Sequence, residues 1–245
     1  MAVSPLTELD HPSVVAPYAR LVGFIQAMRR SALALLLAIV GATLVFYLLS
    51  PKLFALIQGH LHQRLVFFSV AEPFLAHVKL ALAAALLLLM PLMVTVLWRA
   101  LAIPFHLSGL SQALFVLFTC LLFYSGALFC YCITLTYGIE FLLGFASEQV
   151  QPVISIDKFI TFIAVFILGF GLIFELPIFM IFTSKTGLLT RQLFEKNRRY
   201  AILFISIVAA LLTPTPDLVN MLLMGGPLYA LYEVGIVVLR VMRIP

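Results

Sequence analysis

Six apolar runs divide the chain: Ser31–Leu49, Glu72–Leu97, Ala113–Tyr137, Phe159–Ser184, Tyr200–Leu212 and Leu218–Leu239. As a helix rising 1.5 Å per residue, Phe159–Ser184 is about 39 Å long, enough to cross a hydrocarbon layer roughly 30 Å thick. Ser31–Leu49, at about 19 residues, exceeds a signal-peptide core and has no small-residue cleavage site behind it, so it reads as an uncleaved first span. Tyr200–Leu212 would be only about 20 Å long, and the last run is interrupted at Gly225-Gly226-Pro227, so this pair is expected to thin the membrane locally. The pattern predicts an all-α integral membrane protein. Its membrane domain, residues 31–239, forms a six-transmembrane helix bundle with short fifth and sixth spans, flanked by an N-terminal segment (1–30) and a short tail (240–245).

The polar positions set the expected boundaries. Pro5, Pro12 and Pro17 oppose a long early helix, and Pro51 to Ser69 reads as a loop. Glu72 complements the N-terminus of the second span, Pro73 fits its first turn, and Lys79 lies shallow enough to snorkel outward. Pro91 is expected to kink that helix, and Trp98 to sit at headgroup depth where a loop to Ser111 opens. Phe123, Tyr124, Phe129 and Tyr131 read as core packing or interfacial anchoring. Gly138–Asp157 is an acidic loop, Lys185–Arg199 a basic connection, and Thr213–Asp217 a rigid turn in which Asp217 can cap the last helix.

Composition agrees with the runs: 64% of residues are hydrophobic and 10% charged, and mean hydropathy is +1.17. The pI of about 9.3 could suggest nucleic acid, but the bases sit in short connections and read as topology determinants. An N-in/C-in arrangement puts Arg20, Arg29, Arg30, Arg99, the bases of the Lys185–Arg199 connection, Arg240 and Arg243 on the cytoplasmic side. Glu72, Glu140, Glu148, Asp157 and Asp217 then fall outside. Cys130 and Cys132, two apart on a helix, point to nearly opposite sides, which suits neither a disulfide nor a zinc site. His60 and His62 lack a third ligand nearby.

Candidate chemistry reduces to acids in the membrane. No P-loop, H-E-x-x-H or G-x-S-x-G occurs, so neither ATP-driven transport nor hydrolysis has support, and the chain reads as a non-enzyme without metal or cofactor. Glu175 lies deep in the fourth run, where a carboxylate costs roughly 2.5–3.5 kcal/mol even on gentle insertion scales. It can serve as a proton relay, an ion-coupling ligand, a polar notch for something entering from lipid, or a carboxyl hydrogen-bonded between helices. Two residues on, Pro177 deprives the Ile173 carbonyl of its usual partner. Glu233 has Tyr229 four residues earlier on the same face.

From about Ser69 to Glu233 the motifs resemble the TatC family, the multispanning receptor subunit of the twin-arginine protein translocase. They are Glu72-Pro73-Phe74 with Lys79, then Pro91 and Trp98, and Phe123-x-x-Gly126-x-x-Phe129-x-Tyr131. Phe170-Gly171-Leu172-x-Phe174-Glu175-Leu176-Pro177, Arg199-Tyr200, Pro216-Asp217, Pro227-Leu228 and Leu231-Tyr232-Glu233 follow in family order. The resemblance implies a cupped bundle in the cell (inner) membrane that receives twin-arginine signal peptides from the cytoplasm. It implies self-association and assembly with single-span TatA- and TatB-type subunits to move folded proteins with the proton-motive force. Glu175 matches the family's intramembrane glutamate, and Asp217 its acid after the proline-rich turn. Gln26, Arg29, Arg30 and Arg99 fall in the signal-peptide contact region. There the chain departs from the family: Gln26 or Ala27 stands in place of a glutamate, and Trp98 to Ser111 contains no acid. The alternatives are a diverged paralogue acting as a scaffold, or a proton- or ion-coupled solute transporter using Glu175.

Overall fold

The structure is a computed structural model and describes residues 15–59, 65–105, 108–144, 154–212 and 218–242. Helices dominate it, because in hydrocarbon a helix satisfies its own backbone groups. In chain order the elements are α1 (Val15–Gln58), β1 (Leu65–Val66), α2 (Glu72–Phe105), α3 (Gly109–Phe129), a π-helical turn (Cys130–Thr134) and α4 (Leu135–Leu143). Then come β2 (Ile154–Ser155), α5 (Ile156–Phe174), α6 (Leu176–Lys185), α7 (Arg191–Lys196), α8 (Arg198–Leu212) and α9 (Leu218–Val241). Among the described residues five stretches are long and apolar enough to span a membrane: Arg29–Gln58, Glu72–Ile103, Gly109–Glu140, Ile156–Lys185 and Met224–Val241. The fifth run of the sequence, now α8, has 15 residues and is not among them.

Several expected breaks are absent, and each has a physical reason. α1 starts at Val15, holding Pro17 in its first turn where a missing N–H costs nothing, and it passes through Pro51 to Gln58. Pro51 leaves the Tyr47 carbonyl without its helical donor, and the buried Ser50 hydroxyl donates to it instead at 2.7 Å. Pro91 is likewise enclosed by α2. The carbonyl it orphans, Leu87 O, accepts from the Tyr124 hydroxyl of α3 at 2.8 Å. α2 runs on to Phe105, so the loop expected from Trp98 to Ser111 shrinks to the residues before Gly109, and Ser108 caps α3 by accepting from Ser111 N–H. α4 carries the helix past Gly138 to Leu143, with Glu140 exposed on it. α9 continues through Gly225-Gly226-Pro227, because lipid offers an unwound backbone no partner.

Trp98 is the clearest correction. It is 5% exposed, not at a headgroup surface. Its ring stacks on Phe115 at 4.5 Å between centroids and meets Phe182 edge-on at 5.1 Å, while Nε1–H donates to Thr119 Oγ1 at 3.1 Å. Among the aromatic positions of α3, Phe123 is core at 2% exposed, whereas Tyr124 is 41% exposed. Cys130 is buried and Cys132 exposed, on opposite sides of the helix.

The fourth run bends at Glu175. The Glu175 N–H bonds back to Leu172 O at 3.1 Å, one residue short of the α register, and Pro177 falls in the first turn of α6. Above the bend α3 and α5 touch through glycines. A Cβ on Gly126 would lie 2.7 Å from Phe170 O, and one on Gly171 2.5 Å from Phe123 Cε2. Only glycine permits this approach.

At the end of the bundle where α1 stops and α2 and α5 begin, β1 and β2 pair in parallel, Leu65 opposite Ile154 and Val66 opposite Ser155. The opposite end carries Lys185, α7 and the C-terminal turn of α9, and Arg198 and Arg199 open α8 there. His60, His62, Arg64, Glu148 and the Thr213–Asp217 turn lie outside the described residues. Replacing Tyr124 with Phe should lower stability by about 1 kcal/mol, since Leu87 O then has no donor. Gly126→Val should cost about 1–3 kcal/mol by overpacking. Thermal unfolding in detergent, followed by circular dichroism, checks both.

Candidate functional site

Three polar groupings are built into the apolar bundle. The deepest is Glu175. α5 and α6 place it at their junction, the one position in the run where the helical hydrogen-bond ladder is interrupted. Both carboxyl oxygens are buried and neither has a hydrogen-bond partner among the described residues. Thr119 of α3 and Cys120 stand beside it, and Thr119 Oγ1 accepts from Trp98 Nε1–H at 3.1 Å. Burial therefore desolvates this carboxyl, and such a group is a ready acceptor for an incoming donor or proton.

The second grouping ties the strand end together. Lys79 has a counter-ion within the protein. Its ammonium reaches Asp157 Oδ1 at 2.7 Å and Oδ2 at 2.8 Å and donates to Thr161 Oγ1 at 3.0 Å, joining α2 to α5. Glu72 begins α2, and its Oε2 accepts from Phe68 N–H at 3.1 Å and from the Ser155 hydroxyl at 3.2 Å. Pro73 occupies the first turn of α2 as expected. Phe74 meets Tyr47 of α1 edge-on at 6.1 Å and keeps 58% of its surface exposed. Asp217 falls outside the described residues.

The third lies at the basic end. Glu233 accepts from the Tyr229 hydroxyl at 2.8 Å and pairs with Arg198 at 3.2 Å. It is thus neutralised by α8, and among the described residues it shares no hydrogen-bond or ion-pair partner with Glu175. Glu195 pairs with Arg240 at 2.9 Å and with Arg191 at 3.5 Å. The hydrogen bond from Arg240, with Arg191 and Arg198 adding to it, holds the Glu195 carboxyl below its ordinary value against a smaller opposing effect of burial. A carboxyl lowered in this way stabilises the fold above its ordinary pKa and loses that contribution as pH falls through the folded value. Arg29 and Arg30 on α1 and Arg99 on α2 are exposed, and no ion pair holds any of them among the described residues. Gln26 lies on α1; its side chain is outside the described residues.

Sequence reasoning placed Glu175 and the Tyr229–Glu233 pair but missed the partners of the other charges. Lys79 inside an apolar run demands a carboxylate, and Asp157 at the start of the next parallel span was the available one. Arg198, read as a topology signal, is also the counter-ion of Glu233.

A family model described as Sec-independent protein translocase protein (TatC) matches residues 23–227. A protein of Carboxydothermus hydrogenoformans named Sec-independent protein translocase protein TatC is 32% identical over 228 residues, covering 89% of this chain and 92% of that one. A protein of the same name from Helicobacter pylori strain J99 is 32% identical over 213 residues, covering 85% of each. A crystal structure of the twin arginine translocase receptor TatC in DDM superposes with a TM-score of 0.78 at 26% identity, covering 88% of this chain and 98% of that one.

Removing Lys79 or Asp157 should weaken the α2–α5 contact, and the two losses should not add. A double-mutant cycle with Lys79→Ala and Asp157→Ala, read by thermal unfolding, is expected to give a coupling of about 1 kcal/mol for this half-exposed pair.

Proposed function

The chain belongs to the TatC family of Sec-independent protein translocase proteins, and we propose that it is the signal-peptide receptor and core of a twin-arginine translocase. On this reading it sits in the cell (inner) membrane and is a non-catalytic subunit. It binds twin-arginine signal peptides of folded cargo, associates with itself and with single-span TatA- and TatB-type subunits, and works with the proton-motive force. The observation that carries the mechanism is Glu175. A buried carboxyl without a partner at a helix break is stable only because its neighbours shelter it, and it is free to engage a segment entering from lipid.

The proposed topology is N-in/C-in with six spans, residues 1–30 and 240–245 being cytoplasmic. It takes α8 as a short fifth span of about 22 Å, reached by local thinning of the bilayer. Charge placement supports this orientation: Lys185, Arg191, Lys196, Arg198 and Arg199 gather at one end, while Glu72 and Asp157 lie at the other.

Recognition of a guanidinium pair needs carboxylates placed for charge-assisted, bidentate bonds. Gln26, Arg29, Arg30 and Arg99 lie in the region where the signal would bind but supply no acid. Glu195 is held by Arg240 and Arg191. The acids left for the signal are Glu8 and Asp10, or a partner subunit's. On the strand-end side Glu72, Pro73, Phe74 and Lys79 serve architecture rather than cargo contact.

Deleting the gene should abolish export of a folded reporter carrying a twin-arginine signal and leave small-solute uptake unchanged; the reverse outcome would make the protein a transporter. In the same assay Glu175→Ala should reduce export roughly tenfold, about 1.4 kcal/mol of coupling, at unchanged protein level, whereas Glu233→Gln should act mainly on stability. Reporter fusions in the Lys185–Arg199 connection should report a cytoplasmic location.

A further inference from the structure

A lateral groove opens between α3, α6 and α9. Its volume is about 320 Å³, and its walls are apolar from Leu122, Pro177 and Leu231 at the floor to Met242 at the mouth. The mouth is different. Lys185 and Ser111 are its polar lining residues, with Lys185 Nζ donating to Ser111 Oγ at 2.9 Å and standing 5.5 Å from the Phe115 ring centroid. No carboxylate pairs with Lys185 among the described residues, although the other acids at this end, Glu195 and Glu233, are each bound by arginine.

Depth decides what fits. Ser111 to Leu122 on α3, and Leu231 to Met242 on α9, each span roughly 16 Å along a helix, about half of a 30 Å hydrocarbon layer. The groove is therefore about one leaflet deep, where a spanning helix would need a channel through both leaflets. Leu114, Phe118, Val234 and Met242 are exposed along its rim, so it opens sideways to lipid, not to water. A cation at the headgroup end over an apolar slot of single-leaflet depth is complementary to one amphiphile: an acyl chain carrying an anionic head.

We propose that this groove binds an anionic phospholipid, its acyl chain between α3, α6 and α9 and its phosphate on Lys185 Nζ and Ser111 Oγ. Ser111 then turns its hydroxyl from acceptor of the lysine to donor toward the phosphate. Bound lipid would bridge three helices that meet at this end through few polar contacts.

The test uses the full chain in detergent, titrated with dioleoylphosphatidylglycerol or dioleoylphosphatidylcholine and read by native mass spectrometry. One phosphatidylglycerol should be retained per chain, with about fivefold preference over phosphatidylcholine, the gain expected from a single basic contact near a membrane surface. Lys185→Gln leaves the groove volume intact and should abolish the preference while keeping acyl-chain binding. Val234→Phe fills the slot and should lower retention of both lipids. Equal retention of the two lipids by the unmodified protein overturns the proposal, as does an undiminished preference in Lys185→Gln. Photo-crosslinking from position 234 in membranes should capture lipid; capture of an apolar peptide segment alone would overturn it.

Discussion

Hydrocarbon gives polar groups nothing to bond to, and nearly every irregularity in this bundle is an answer to that constraint. Where proline removes a donor, a hydroxyl supplies one: Ser50 for the Tyr47 carbonyl, Tyr124 for that of Leu87. Where a charge enters a span, a neighbouring helix brings its opposite: Asp157 to Lys79, and Arg198 to Glu233. These contacts tie one helix to the next, so the rule that protects single groups also fixes the packing. α3 is held to α2 through Tyr124 and to α5 through the glycine contacts at Gly126 and Gly171.

Glu175 stands apart from this scheme. Its two oxygens are buried and unpartnered, in a bundle that otherwise finds partners for its intramembrane charges. Thr119, the hydroxyl beside it, accepts from Trp98, and Trp98 is fixed by stacking on Phe115 and by the edge of Phe182. The carboxyl itself has no hydrogen-bond donor among the described residues. A site held in that condition is suited to a ligand that arrives with hydrogens to give.

The helices were legible as apolar runs because length and composition suffice for spans. Their ends were not. Pro51, Trp98, Gly138 and the Gly225-Gly226-Pro227 tract all read as boundaries by local propensity, yet all lie inside helices. What overrides propensity is tertiary and environmental: Ser50 back-bonding at Pro51, the aromatic pocket around Trp98, the lack of any solvent to stabilise an unwound α9. Glu175 and the Tyr229–Glu233 pair were readable because each depends on one residue or on spacing within a single helix. Lys79 with Asp157 was not, since two halves of an ion pair separated by a whole helical hairpin leave no pattern in the chain. The two-residue β1–β2 pairing escaped for the same reason.

That separation has a consequence for how the protein is made. Lys79 and its acceptor are 78 positions apart, so at ribosomal speeds of about 5–20 residues per second the lysine emerges roughly 4–16 s before Asp157 exists. Throughout that interval the ammonium has no counter-ion, and the second span must rest shallow, with the side chain stretched toward water. Arrival of the fourth hydrophobic segment lets it settle to its final depth and allows the short parallel strands to close. Maturation of the amino-terminal hairpin is thereby timed by a segment synthesised long after it.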